Sequence, residues 1–322
     1  MPHKETFTQT FVVLLDRPVS VETVAQRISA FPIARRAPAS ESWAMGGPGL
    51  VLPFRPEANG MVAIDVVDRP WPDSMGDPQG DPTVFGAWAM GNFGPFAFPS
   101  GLQRAGQHSW AWEEGRDVAC KHQAFIRMRM SYVFGADDSA WVIPEDYKPI
   151  DEMHFLTDLL VPLMSLPEAL CYFNPNGEVL RDRSFVEGVL EFSRERSLPP
   201  LDLWSNIRFF RLEENWLMMD TVGNAQLDLP DLEACFVAST YDLEEIDVFL
   251  RATTSYLLEE GDVIETEDTI KGPGRKTWVA HRFEESYSSP PRRVIRLIPD
   301  DGVRPPMAVL KQAGEPPVVD GG

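Results

Sequence analysis

Between Phe85 and Gly101 the chain reads FGAWAMGNFGPFAFPSG, a stretch with five aromatic side chains, four glycines and no charge. Each aromatic side chain can bury roughly 150–250 Å², and glycine lets neighbouring backbone approach closely. A ribbon of that composition must be sheltered from water, by its own chain or by another molecule. Two arrangements satisfy this. The plainer one covers a sheet as part of the core. The other is an apolar surface for a protein partner, with Trp88 and Phe93 as anchors and Phe96 beside them.

Candidate sheet surfaces lie on both sides of the ribbon in sequence. In HQAFIRMRMSYVFG, Ile126, Met128, Met130 and Tyr132 alternate with Arg127, Arg129 and Ser131, the period of a strand that faces a core on one side. Phe7 to Leu15, Leu50 to Phe54 and Met61 to Val67 read as further strands, and Ser20 caps a helix carrying Val24, Ile28 and Phe31. Residues 68–100 form a long insertion that contains the ribbon. Beyond it, Asp151 opens a helix that Pro162 should kink or shorten. ALCYFNPNGEVL reads as strand, turn, strand. The helix after Asp242 has Glu245 placed for a capping box and Gly261 placed to stop it. TWVAHRFEE and RRVIRLIP read as paired strands.

This order predicts an α+β protein, a two-layer sandwich of mainly antiparallel sheet with helices on one face. Two ferredoxin-like halves, 1–140 and 151–300, are one version of it, a single continuous sheet is another, and residues 313–322 read as a disordered tail.

Composition excludes several functions. The formal net charge of −20 opposes a nucleic-acid partner or an anionic membrane surface. Phe11 to Leu15, the longest apolar run near the start, is too short for a signal-peptide core or a membrane span. The three cysteines, Cys120, Cys171 and Cys235, are odd in number and far apart, which predicts buried, inert thiols and a cytoplasmic protein. GxxxxGK[ST], HExxH, GxSxG and CxxC motifs are missing, and MGGPGL and KGPGRK read as turns. No cofactor and no metal are therefore expected. Cys120 and His122 lack further ligands, Asp65, Asp68, Asp73, Asp77 and Asp81 lack calcium-loop spacing, and His154 reads as a hydrogen-bonded core histidine.

In NPNGE, Asn174, Asn176 and Glu178 could present amides and a carboxylate to a ligand at a strand end, although Asn-Gly also suits a tight turn. No catalytic residue is assigned. The function expected is a non-enzymatic binding or protein-interaction module. The alternative is a hydrolase whose site gathers dispersed Asp, Glu and His.

The segments EMHFLTDLL, EALCYFNPNGEVL, LWSNIRFFRLEE, MDTVGNAQLDLPDLEA and HRFEES…RRVIRLIP resemble the domain of unknown function family 4261. The matching turn carries Thr221, Gly223, Leu229, Pro230, Leu232 and Glu233, and the resemblance runs from about Asp151 to Pro299. It implies membership of a bacterial family without an assigned activity, and it carries no site residue to this chain.

Overall fold

The computed structural model describes residues 3–136, 140–213 and 215–310; the expected tail at 313–322 lies outside them. The chain divides between Asn206 and Ile207 into two compact units, not between 140 and 151 as expected. The reason is a strand pairing. The segment after residue 151 returns to the first sheet, where Val13 lies opposite Tyr172 and Val12 opposite Phe173.

The first unit contains β1 (Gln9–Leu15), α1 (Val21–Arg27), β2 (Arg35–Ala37), β3 (Gly49–Arg55) and β4 (Gly60–Val67). The insertion follows with α2 (Pro82–Ala89), α3 (Gly101–Gln107) and α4 (Gly115–Ala119). Then come β5 (Ala124–Ser131), α5 (Pro149–Met164), β6 (Ala169–Asn174), β7 (Val179–Arg181), α6 (Arg183–Arg196) and α7 (Leu201–Trp204). The seven strands form one open sheet in the order β2-β3-β4-β5-β1-β6-β7, with every assigned pairing antiparallel. That is a larger sheet than the four strands of a ferredoxin-like half. Pro162 does not end α5, which continues to Met164.

Both faces of this sheet are covered. Along β5 all eight residues are buried, including Arg127 and Arg129. Ile126, Val13 and Tyr172 point to one face, where Tyr172 Oη donates to Leu203 O and Trp204 Nε1 donates to Thr157 Oγ1 on α5. Phe125, Val12, Leu14, Cys171 and Phe173 point to the other and join a core cluster with Trp71, Val84, Trp88, Phe93 and Ala105 from the insertion. The alternation was legible in β5, but its charged side faces protein and not water.

The second unit contains β8 (Asn206–Arg211) from its second residue on, β9 (Trp216–Val222), β10 (Asp231–Val237), α8 (Leu243–Glu260), β11 (Thr269–Lys271), β12 (Thr277–Phe283) and β13 (Val294–Pro299). Its sheet order is β11-β12-β13-β10-β9-β8. The β10–β13 pairing is parallel; β9–β10, β11–β12 and β12–β13 are antiparallel. α8 packs on β9 and β10. Asp242 caps it by accepting from Glu244 N, and Gly261 ends it at φ 87°. Glu245 does not close a capping box; its Oε2 accepts from Gly274 N. Among the described residues no helix is long and apolar enough to cross a membrane.

Both units contain the same succession of a strand, a helix and a three-strand meander whose last strand runs parallel to the first: β1-α1-β2-β3-β4 and β10-α8-β11-β12-β13. In the second unit that last strand pairs directly with the first. In the first unit β5 is inserted between them.

Candidate functional site

The ribbon and the NPNGE turn, 80 residues apart in sequence, meet. α2 starts at Pro82, with the Asp81 side chain accepting from Val84 N, and delivers Trp88 inward. Phe93 follows with no exposed surface. Its ring lies 4.9 Å from Trp88 and 5.2 Å from Trp71, while the Arg127 guanidinium sits 5.4 Å from its centroid. Phe96 is half-buried, and its backbone N–H donates to Asn176 Oδ1 at 3.0 Å. Asn176 Nδ2 donates to Thr10 O, and Asn174 Oδ1 receives Asn176 N and Gly177 N to shape the turn. Glu178 takes the left-handed conformation at φ 49° and accepts from Arg104 Nε at 2.7 Å, on the helix that follows the ribbon.

Trp88, Phe93, Asn174, Asn176 and Glu178 are thus buried parts of one fastening. They present no docking patch: of the two arrangements read from the sequence the ribbon takes the one that covers the core, and Trp88 and Phe93 are not surface anchors. The cause is hydrogen bonding: side chains in the turn satisfy backbone groups of a loop that has no ladder of its own.

Beneath the ribbon lies a buried ionic cluster. Asp65 on β4 receives Arg127 Nη2 at 2.8 Å, Arg129 Nη2 at 3.1 Å and Gly47 N at 2.9 Å. Arg127 also donates to Ala44 O and Asn92 O, and Arg129 to Met45 O and Asn92 Oδ1. Burial raises the Asp65 carboxyl, but the two guanidiniums outweigh it and hold the group below its ordinary value.

The second unit holds a denser network. Asp220 on β9 receives Arg208 Nε and Nη2 at 3.0 and 2.7 Å, Arg292 Nη2 at 2.6 Å and Ser288 Oγ at 2.5 Å. Glu233 lies directly opposite Asp220 across the strands, a repulsive placement for two carboxylates. It is neutralised by Arg296 Nε at 2.8 Å and also accepts Tyr287 N at 2.7 Å. Asp231 accepts from Thr221 Oγ1 and Asn224 N and forms an ion pair with Arg292, Nε to Oδ2, at 3.2 Å. Burial raises all three carboxyls; Arg208 and Arg292 overcome it at Asp220, which falls below its ordinary value, whereas burial prevails at Asp231 and Glu233. Asp220 and Glu233 are both fully buried and both engaged by arginines, which ties β8 to β9 and β10 to β13.

The remaining sequence candidates also resolve into structure. Asp73 caps α3 by accepting Leu102 N and Gln103 N, and Asp77 receives Gln79 N. His122 Nε2 accepts Trp71 N at 2.8 Å. Cys171 and Cys235 are buried as expected, but Cys120 is exposed where α4 ends. No group of three His, Cys, Asp or Glu among the described residues could hold a metal ion.

An open groove lies in the second unit, between the N-terminal half of α8 and the KGPGRK turn, with a volume of about 720 Å³. Val248, Phe249, Ala252 and Pro273 make its apolar floor. Asp242, Glu244 and Glu245 rim the helix side, and Lys271 and Arg275 rim the turn. Gly272 draws the walls together: a Cβ there would stand 2.7 Å from Trp278 and 3.0 Å from Phe249, so only glycine lets the turn sit this close. Val248 is 65% exposed, an uncovered aliphatic side chain in the middle of a charged rim. Sequence reading missed it because Val248 falls outside the helical stripe of Leu243, Ile246, Leu250 and Leu257. That off-stripe position on a helix with a clear buried face was the available signal.

Comparison with protein families matches residues 220–298 to the domain of unknown function DUF4261. The matched segment holds α8, the groove and all of the ionic network except Arg208. No curated protein and no solved structure matches the chain.

Proposed function

We propose that the protein is a cytoplasmic binding module that holds an extended segment of a partner protein in the groove between α8 and the KGPGRK turn. The observation that carries this reading is the apolar floor around Val248, open to water between two rims of opposite charge. The occupant that complements it has an apolar anchor over Val248, a basic residue toward Glu244 and Glu245, and an acidic residue toward Lys271 and Arg275. β11 ends the strand order beside the groove and offers an edge to an extended chain. The three free thiols favour a reducing compartment. A binding role is preferred to hydrolysis because the buried carboxylates are all engaged and the groove rim carries no histidine.

Selection from a random peptide library tests it. The full chain is expected to enrich segments with basic, apolar and acidic residues in that arrangement, Val248→Asp to abolish enrichment, and Lys271→Glu with Arg275→Glu to select the opposite charge on the turn side. Unchanged selection by Val248→Asp refutes the groove. A dimer in light scattering that Val248→Asp dissociates makes a second copy the occupant and overturns the peptide reading.

A further inference from the structure

The first unit has a second concavity, built differently. It lies between α5, α6 and the bend at 197–200, encloses about 410 Å³, and is lined by His154, Asp158, Ser193, Arg194 and Ser197 over Thr157 and Leu190. Its size falls within the range of small-molecule sites, roughly 300–1,000 Å³.

His154 is not the hydrogen-bonded core histidine expected from sequence. It stands on the exposed side of α5, its ring edge-on to Trp204 at 4.9 Å and 79°. Partial burial lowers its pKa against the opposing pull of Asp158 and Asp151. The floor is rigid. Trp204 Nε1 donates to Thr157 Oγ1 at 3.0 Å, and Thr157 Oγ1 donates to Met153 O at 2.7 Å. The lip is rigid too, since Ser197 takes φ 55°, Leu198 N donates to Ser193 O at 2.9 Å, and Pro199-Pro200 follows.

Elsewhere on the surface, charges close on each other, as in Arg183 with Glu187 at 2.7 Å and Arg282 with Asp262 at 2.6 Å. Arg194 and Asp158 share this cleft, yet among the described residues no ion pair or side-chain hydrogen bond engages either. The same holds for Ser193, which is 7% exposed and keeps a hydroxyl without a partner at the cleft wall. A guanidinium, a carboxylate, two hydroxyls and an imidazole therefore line one cleft with their hydrogen-bonding capacity unspent.

We propose that this cleft binds a small zwitterion of the α-amino acid class, its carboxylate on Arg194 and a serine hydroxyl and its ammonium on Asp158. A lone anion would meet the Asp158 carboxylate, and a lone cation the Arg194 guanidinium. Only a ligand carrying both charges satisfies the two walls together.

Titration calorimetry on the full chain decides it, with the standard L-amino acids as probes and n-butylamine, butyrate and inorganic phosphate as single-charge comparators. At least one amino acid is expected to bind in the millimolar range or tighter, with the comparators weaker. Arg194→Gln and Asp158→Asn should each weaken it by about tenfold or more, as loss of one charge-assisted contact requires. Both side chains are exposed, so unchanged melting curves will show the variants are folded. No binding by any amino acid refutes the proposal. Butyrate or phosphate binding that Asp158→Asn leaves unchanged makes this a plain anion site and also overturns it.

Discussion

Replacing Phe93 by Ala tests whether the uncharged ribbon is core. The ring is fully buried, contacts Trp88, Trp71 and Trp43 at centroid distances of 4.9, 5.2 and 6.3 Å, and lies under the Arg127 guanidinium. Deletion of a buried Phe side chain costs about 3–5 kcal/mol. The upper half of that range applies here, because three large rings packed in the same core cluster cannot all collapse into the void. For a unit of this size each kcal/mol lowers the melting temperature by roughly 2–4 °C, so a drop on the order of 10 °C is expected. Met90→Ala is the control from the same ribbon, since Met90 is 47% exposed and its loss should cost under about 0.5 kcal/mol. Urea unfolding monitored by tryptophan fluorescence reads both. A loss below about 1 kcal/mol for Phe93→Ala, or equal losses for the two variants, would refute the packing argument.

Asp220→Asn keeps the volume but leaves Arg208 and Arg292 without their shared carboxylate; it should cost about 3–5 kcal/mol in urea titration, and a cost under about 1 kcal/mol would show that the network is slack. Asp65 is held below the ordinary carboxylate value, so its contribution is complete above the unfolded value of about 3.9 and is lost as pH falls through its own lower one. Its carboxyl carbon resonance should therefore still report the ionised form at pH 3.9, and half-protonation there would contradict the ion cluster. One thiol, Cys120, should react with a disulfide reagent in the native chain and all three after denaturation, because burial raises the Cys171 and Cys235 thiols. Rapid native modification of all three would place Cys171 or Cys235 at the surface.

Period and turn chemistry made much of the fold readable. β5, α8 with its Asp242 cap and Gly261 stop, and the pairing of β12 with β13 follow from local signals. Long-range pairing did not follow. Nothing local tells β6 to return beside β1, so the boundary moved to Asn206. Arg127 and Arg129 carried the pattern of a solvent face because alternation reports which residues share a side, and not what covers it. The site residues failed for a related reason. Asn174, Asn176 and Glu178 have the chemistry of ligand binders, and their ligand is the chain's own ribbon. His154 and Arg194 are 40 positions apart, and only the packing of α5 on α6 brings them to one cleft.

The tie between Phe96 and Asn176 also fixes an order of events at the ribosome. The aromatic ribbon leaves the exit tunnel well before its cover does, since Phe173 and the 174–178 turn are translated more than seventy residues later. Through that interval five aromatic rings have no finished surface to settle on, which makes nascent chains of intermediate length the most vulnerable to aggregation and the natural clients of a chaperone. A gene fragment ending before β6 would keep most of the strands of the first sheet and still leave this ribbon without its fastening.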